Sequence, residues 1–170
     1  KASALQALPS EGPGPLEAAR AAYAEAIAIF SEIGSPEELA EAEMNLGLVL
    51  QTLAGLNRAR LADAIAAYQR ALRVFDRARH PKEYAMLQNN LGNALQYASS
   101  AHRLANNLRA LACYDEALAV RQRETMPLEY ANTQANRANC LQNLPDDPER
   151  PEAGNPLNLR RARDGYAEAQ

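Results

Sequence analysis

The sequence predicts an all-α fold: a solenoid of helix hairpins stacked side by side, about seven helices in all. Three observations carry that expectation. Alanine and leucine dominate the 170 residues, whereas valine, isoleucine, phenylalanine and threonine are scarce, a bias toward helix over sheet. Apolar residues recur at three- and four-residue steps, the period of one helical face. Tyr23-Ala-Glu-Ala26, Tyr68-Gln-Arg-Ala71 and Tyr114-Asp-Glu-Ala117 repeat at steps of 45 and 46, and Tyr166-Ala-Glu-Ala169 follows after 52. Prolines (Pro36, Pro81, Pro127) and asparagines (Asn45, Asn90, Asn136) keep the same register.

Each element follows from this register. Residues 1–15, rich in proline and glycine near their end, read as a tail or linker. A lone second helix follows over 16–33, ended by Gly34. The first full unit spans 36–78. It opens on Ser35-Pro36-Glu37-Glu38, which has the pattern of a capping box with proline in the first turn. Its first helix runs over 37–54 on Leu39, Ala42, Leu46, Val49, Leu50 and Leu53. Its second runs over 59–78 on Leu61, Ala64, Ile65, Tyr68, Ala71, Leu72 and Phe75.

The second unit, 81–124, repeats the plan, with helices over 82–98 and about 104–124, the latter through Leu108, Leu111, Tyr114, Ala117, Leu118 and Val120. The third, 127–170, pairs helices over about 128–144 and 157–170 across a loop at 145–156 that holds four prolines and a glycine. No helix of this kind buries its apolar face alone; stacking makes one continuous core. The chain opens on Lys1 rather than methionine, and the last helix lacks its expected continuation after Tyr166. Both features lead to the expectation that the array continues in a longer protein.

These residues resemble the tetratricopeptide repeat. The Leu-Gly signature of its first helix appears as Leu46-Gly47 with Leu50 and as Leu91-Gly92 with Leu95. The small-aromatic-small signature of its second helix appears as Ala64/Tyr68/Ala71 and Ala110/Tyr114/Ala117, with Ala19/Tyr23/Ala26 and Ala162/Tyr166/Ala169 at the ends. The usual unit has about 34 residues, and this one is about eleven longer. That length is similar to a bacterial subclass of arrays adjoining caspase-like (CHAT) peptidase domains or signalling ATPases, and more distantly to kinesin light chain repeats. The resemblance implies a right-handed superhelix, a sensor or adaptor role, and a tyrosine that fills the space between neighbouring hairpins. One departure stands out: Asn136-Arg137-Ala138 replaces Asn-Leu-Gly. The third pair is expected to pack differently, or Arg137 to meet a partner outside the chain.

The resemblance also implies that first helices line a concave face carrying Asn45, Asn90 and Asn136. Spacing along each helix extends that stripe. On the third first helix it gives Asn132, Asn136, Asn139 and Asn143; on the second, Asn89, Asn90, Asn93 and Tyr97; on the first, Asn45 and Gln51. Asparagine is a weak helix former, so four on one face sacrifice local stability. Carboxamides offer donors and an acceptor that match the backbone of an extended peptide. The expected function is therefore capture of a peptide or partner protein in an Asn/Gln-rich groove. The alternative role for these amides is to bond across helices and brace the superhelix.

Other classes find less in the sequence. A net charge of −3 does not point to nucleic acid or an anionic membrane. Eight acids against two bases in residues 1–50 would suit a basic partner. Arginines gather at Arg58, Arg60, Arg70, Arg73, Arg77 and Arg79 and again at Arg160, Arg161 and Arg163, but acids dilute them. His80 and His102 fall at helix ends, and no phosphate loop, zinc-protease or nucleophile-elbow motif occurs, so neither catalysis nor a cofactor is expected. Cys113 and Cys140 form no CxxC, no metal site is expected, and two thiols suit a reducing, cytoplasmic setting. No apolar run reaches membrane-spanning length. Self-assembly through exposed solenoid ends is the main competing role.

Overall fold

The computed structural model describes residues 13–169, and every regular element among them is helical. In chain order these are α1 (Gly14–Ile33), α2 (Pro36–Gly55), α3 (Leu61–Ala71), α4 (Pro81–Tyr97), α5 (Arg103–Leu118), α6 (Pro127–Gln142) and α7 (Pro156–Glu168), with one 3-10 turn at Pro151–Ala153. They form two compact units divided between His80 and Pro81. Most of the expected tail, residues 1–12, lies outside the described residues, and α1 begins two positions before the expected start at 16.

In the first unit α2 packs on both α1 and α3. Ala19 and Tyr23 of α1 meet Val49 and Leu53 of α2 in a buried cluster. Gly34 adopts φ 72°, a left-handed conformation that costs glycine little, and its N–H caps the Phe30 carbonyl. The expected capping box does not form: Ser35 makes no side-chain cap bond to α2. Its backbone carbonyl instead accepts from the Leu39 N–H at 2.9 Å. Pro36 still occupies the first turn, as Pro81 and Pro127 do for α4 and α6.

The second helices are shorter than expected. α3 stops at Ala71 rather than 78, and α5 at Leu118 rather than 124. The apolar stripe outlasts the helix. Phe75 is buried although the backbone has already turned, and its ring meets His80 edge-on with centroids 5.1 Å apart. The turn is held locally, because Asp76 accepts from the N–H groups of Ala78 and Arg79 at 2.9 Å each. Leu108, expected in the apolar stripe of α5, is 37% exposed; Asn107 beside it is buried instead.

In the second unit α5 packs on α4 and α6, and α6 on α7. The pairs α4/α5 and α6/α7 run antiparallel, as two matched bonds show. Tyr84 in the first turn of α4 donates to Glu116 near the end of α5 at 2.9 Å. Tyr130 near the start of α6 donates to Glu168 at the end of α7 at 3.0 Å. The proline-rich loop is tied down from within. Asp146 accepts from the N–H groups of Leu157 and Asn158 at 2.8 and 2.7 Å, so it caps the N-terminus of α7 from ten residues upstream of Pro156.

The glycine-tyrosine pairing explains the repeated motif. A Cβ built on Gly92 would lie 2.7 Å from Cε1 of Tyr114, and one on Gly47 would collide with the ring of Tyr68. Each tyrosine ring therefore lies on the glycine of its own hairpin, and both rings are fully buried. The third hairpin reverses the small residues: Ala138 of α6 faces Gly165 of α7, with a built Cβ at 3.4 Å. Arg137, which replaces a packing leucine, turns to Asp115 of α5 and donates at 2.6 Å. It thus finds its partner within the unit.

Candidate functional site

The expected groove carboxamides of the second unit sit on α4 and α6, and the structure divides them into two groups. The first holds the unit together. Asn89 is buried, and its Oδ1 accepts from Asn136 Nδ2 at 3.1 Å, tying α4 to α6. Its own Nδ2 reaches Asn90 Oδ1 at 3.4 Å. Asn93 is turned toward the hairpin interior, where the Tyr114 hydroxyl lies 2.8 Å from its Oδ1 and 2.9 Å from Gln96 Oε1. One hydroxyl proton is shared between those two acceptors. Gln51 performs the same task in the first unit, accepting from Tyr68 at 3.0 Å.

These bonds satisfy hydroxyls that would otherwise be buried without partners, a loss of roughly 1–3 kcal/mol each. Burial also pushes the ionisation of Tyr68 and Tyr114 upward, so both hydroxyls remain donors. Gln51, Asn89, Asn93 and Asn136 thus have bracing roles in this structure.

The second group faces outward. Tyr97 is 62% exposed at the end of α4, and its hydroxyl accepts from Asn139 Nδ2 of α6 at 2.9 Å. Asn132 is exposed and Asn90 half-buried. Asn143, also exposed, bends back to donate to the Asn139 carbonyl at 2.9 Å near the C-terminus of its helix. Asn45 stands apart from both groups, in the first unit. It lines a cleft of about 500 Å³ between α1 and α2, with Tyr23, Phe30 and Ala42 among the other walls.

Reading the spacing of the sequence did not separate the two groups, because bracing and outward amides alternate on one face. The register does contain a signal for bracing. Gln51 and Gln96 are 45 apart and each sits opposite the repeated tyrosine. The Tyr84–Glu116 and Tyr130–Glu168 bonds were legible too, since the tyrosines are 46 apart and the glutamates 52, the longer step of the last copy.

Several charged residues are engaged with one another. Arg70 donates to Glu43 at 2.6 and 2.7 Å, Arg60 to Asp63 at 3.0 Å, Arg79 to Asp76 at 2.7 Å and Arg163 to Asp164 at 2.8 Å. Four members of the two arginine groups are thus neutralised by acids. His80 Nε2 lies 3.4 Å from Glu37 Oε1. Both cysteines are free thiols, and burial raises each to about 11. Cys140 donates its S–H to the Asn107 carbonyl at 3.3 Å. Among the described residues no group of histidine, cysteine and acidic side chains could hold a metal ion, and no helix is long and apolar enough to cross a membrane.

The fold and the site define an all-helical chain of repeat-like hairpins. Comparison with protein-family models, with curated proteins and with solved structures finds no match.

Proposed function

We propose that this chain is a protein-interaction module of the tetratricopeptide kind, a right-handed α–α solenoid that holds a peptide or partner protein on its first-helix face. The observation that carries this reading is Tyr97: a large aromatic side chain, 62% exposed, whose hydroxyl is pinned by Asn139 of the neighbouring first helix. Exposed tyrosines with restricted freedom make good anchors, because they bring contact area at low entropic cost. Asn90, Asn132 and Asn139 supply amide donors and acceptors nearby on the same two helices. The bracing amides limit the surface to these residues rather than the whole stripe. A sensor or adaptor part of a larger bacterial, cytoplasmic protein is the setting this reading implies.

Peptides selected from a random display library on the immobilised chain supply the probe. Their affinity for the Tyr97→Ala/Asn132→Ala variant is expected to fall by about tenfold or more. Its thermal midpoint should move by less than about 2 °C, since neither side chain is buried. Unchanged affinity would sink the reading. Self-assembly is favoured as a second reading by exposed Ile29, Ile33, Leu128, Leu157 and Leu159. The arginine–acid pairs offset four of the nine arginines on which the nucleic-acid alternative would draw.

A further inference from the structure

The bonds within the second unit also fix the polarity of the face that carries Tyr97. On α4, Asn90 accepts from Asn89 through Oδ1, and Asn93 and Gln96 meet the Tyr114 hydroxyl through Oδ1 and Oε1. Each engages its oxygen and keeps its whole amino group, a donor. On α6, Asn136, Asn139 and Asn143 donate through Nδ2 to Asn89 Oδ1, to the Tyr97 hydroxyl and to the Asn139 carbonyl. Each engages its nitrogen and keeps its whole side-chain oxygen, an acceptor. Tyr97 follows the α4 pattern, because its oxygen accepts while its O–H proton stays unengaged.

The same face is uncharged. From Ala85 to Tyr97 α4 holds no acid or base, and from Tyr130 to Gln142 α6 holds only Arg137. Arg137 is engaged by Asp115 of α5 at 2.6 Å. The other charges of the two helices, Lys82, Glu83 and Glu129, lie in their first turns. A charged group laid on such a face loses water and meets no counter-charge.

We infer that this face takes an uncharged peptide segment, with its carbonyl oxygens toward α4 and its N–H or O–H groups toward α6. The inference rests on the peptide-binding reading above and names the chemistry of the partner. A segment laid in the opposite sense would set acceptor against acceptor and donor against donor, which selects its direction.

Peptides are selected from a random display library on the immobilised chain, and those that Tyr97→Ala releases are kept, so that this face is the one probed. Their sequences should be depleted by about threefold or more in Asp, Glu, Lys and Arg relative to the starting library. The affinity of a fluorescein-labelled member should change by less than about twofold across a roughly tenfold rise in NaCl. Exchange of a carboxamide for a carboxylate tests the polarity. Asn90→Asp keeps the oxygen that accepts from Asn89 and removes the amino group, so affinity should fall by about tenfold or more. Asn139→Asp keeps the acceptor, and the Tyr97 hydroxyl can turn to donate to it, so affinity should fall by less than about threefold. Circular dichroism checks that both variants are folded at the temperature of binding.

Tyr97-dependent peptides rich in charge, or equal weakening by the two carboxylates, would overturn the inference and leave the peptide-binding reading standing. A pool with no Tyr97-dependent member would overturn both.

Discussion

At the scale of single residues, a missing methyl group decides how α4 and α5 pair. Adding one at Gly92 gains about 1 kcal/mol of helix propensity. It also forces overpacking against a buried tyrosine, which costs roughly 1–3 kcal/mol. The ring atom is 2.7 Å away and belongs to a fully buried side chain, so the second effect wins. Gly92→Ala is expected to lower the urea midpoint. Gly55→Ala, with nothing within 4 Å of its built Cβ, should raise that midpoint through a gain in stability of up to about 1 kcal/mol. The sequence shows which glycines recur with the tyrosine, so this pairing was open to reading. The division of amides into bracing and outward groups was not. It depends on which hydroxyl or carboxamide lies opposite, as with Asn93 and Tyr114.

At the scale of helices, the starts at prolines were legible, as was the end of α1 at Gly34, whereas the ends of α3 and α5 were not. Proline fixes a first turn by its own geometry, and Pro36, Pro81, Pro127 and Pro156 each begin a helix. The ends of α3 and α5 were hidden because apolar residues such as Phe75 continue to be buried after the helix has turned. Capping was misplaced for a related reason: a motif records proximity in sequence, whereas α7 is capped by Asp146 across the loop. Two substitutions distinguish these cases. Asp146→Ala is expected to destabilise by about 0.5–2 kcal/mol. Ser35→Ala should be close to neutral, within about 0.5 kcal/mol, because its hydroxyl caps nothing. Chemical denaturation of both variants checks the contrast.

For the molecule as a whole, buried thiols and phenols set the alkaline limit. Cys113 and Cys140 are raised from 9.0 to about 11, chiefly by desolvation, so the native chain holds protons that the unfolded chain releases. Their contribution to stability is complete below about pH 9 and is lost as pH rises toward 11. Tyr68 and Tyr114, shifted in the same direction, extend the loss further. Urea midpoints under reducing conditions should therefore fall between pH 9 and 11, and less steeply when both cysteines are alanine. The all-helical plan itself was legible because three residue types share one register. The division into two units had no such signal, for the repeat step continues unbroken across His80 and Pro81.

The reversed small residues of the last hairpin bear on how the chain chooses among its own similar helices. α7 keeps the repeated tyrosine as Tyr166, but it meets the methyl of Ala138 through Gly165, where α3 and α5 carry Ala67 and Cys113. Exchanging α7 for one of them would press a side chain against that methyl, so near-identical segments are kept from swapping places while the protein folds. Replacing Ala138 by glycine would relax this discrimination, and errors of pairing, more than lost stability, are its expected mark.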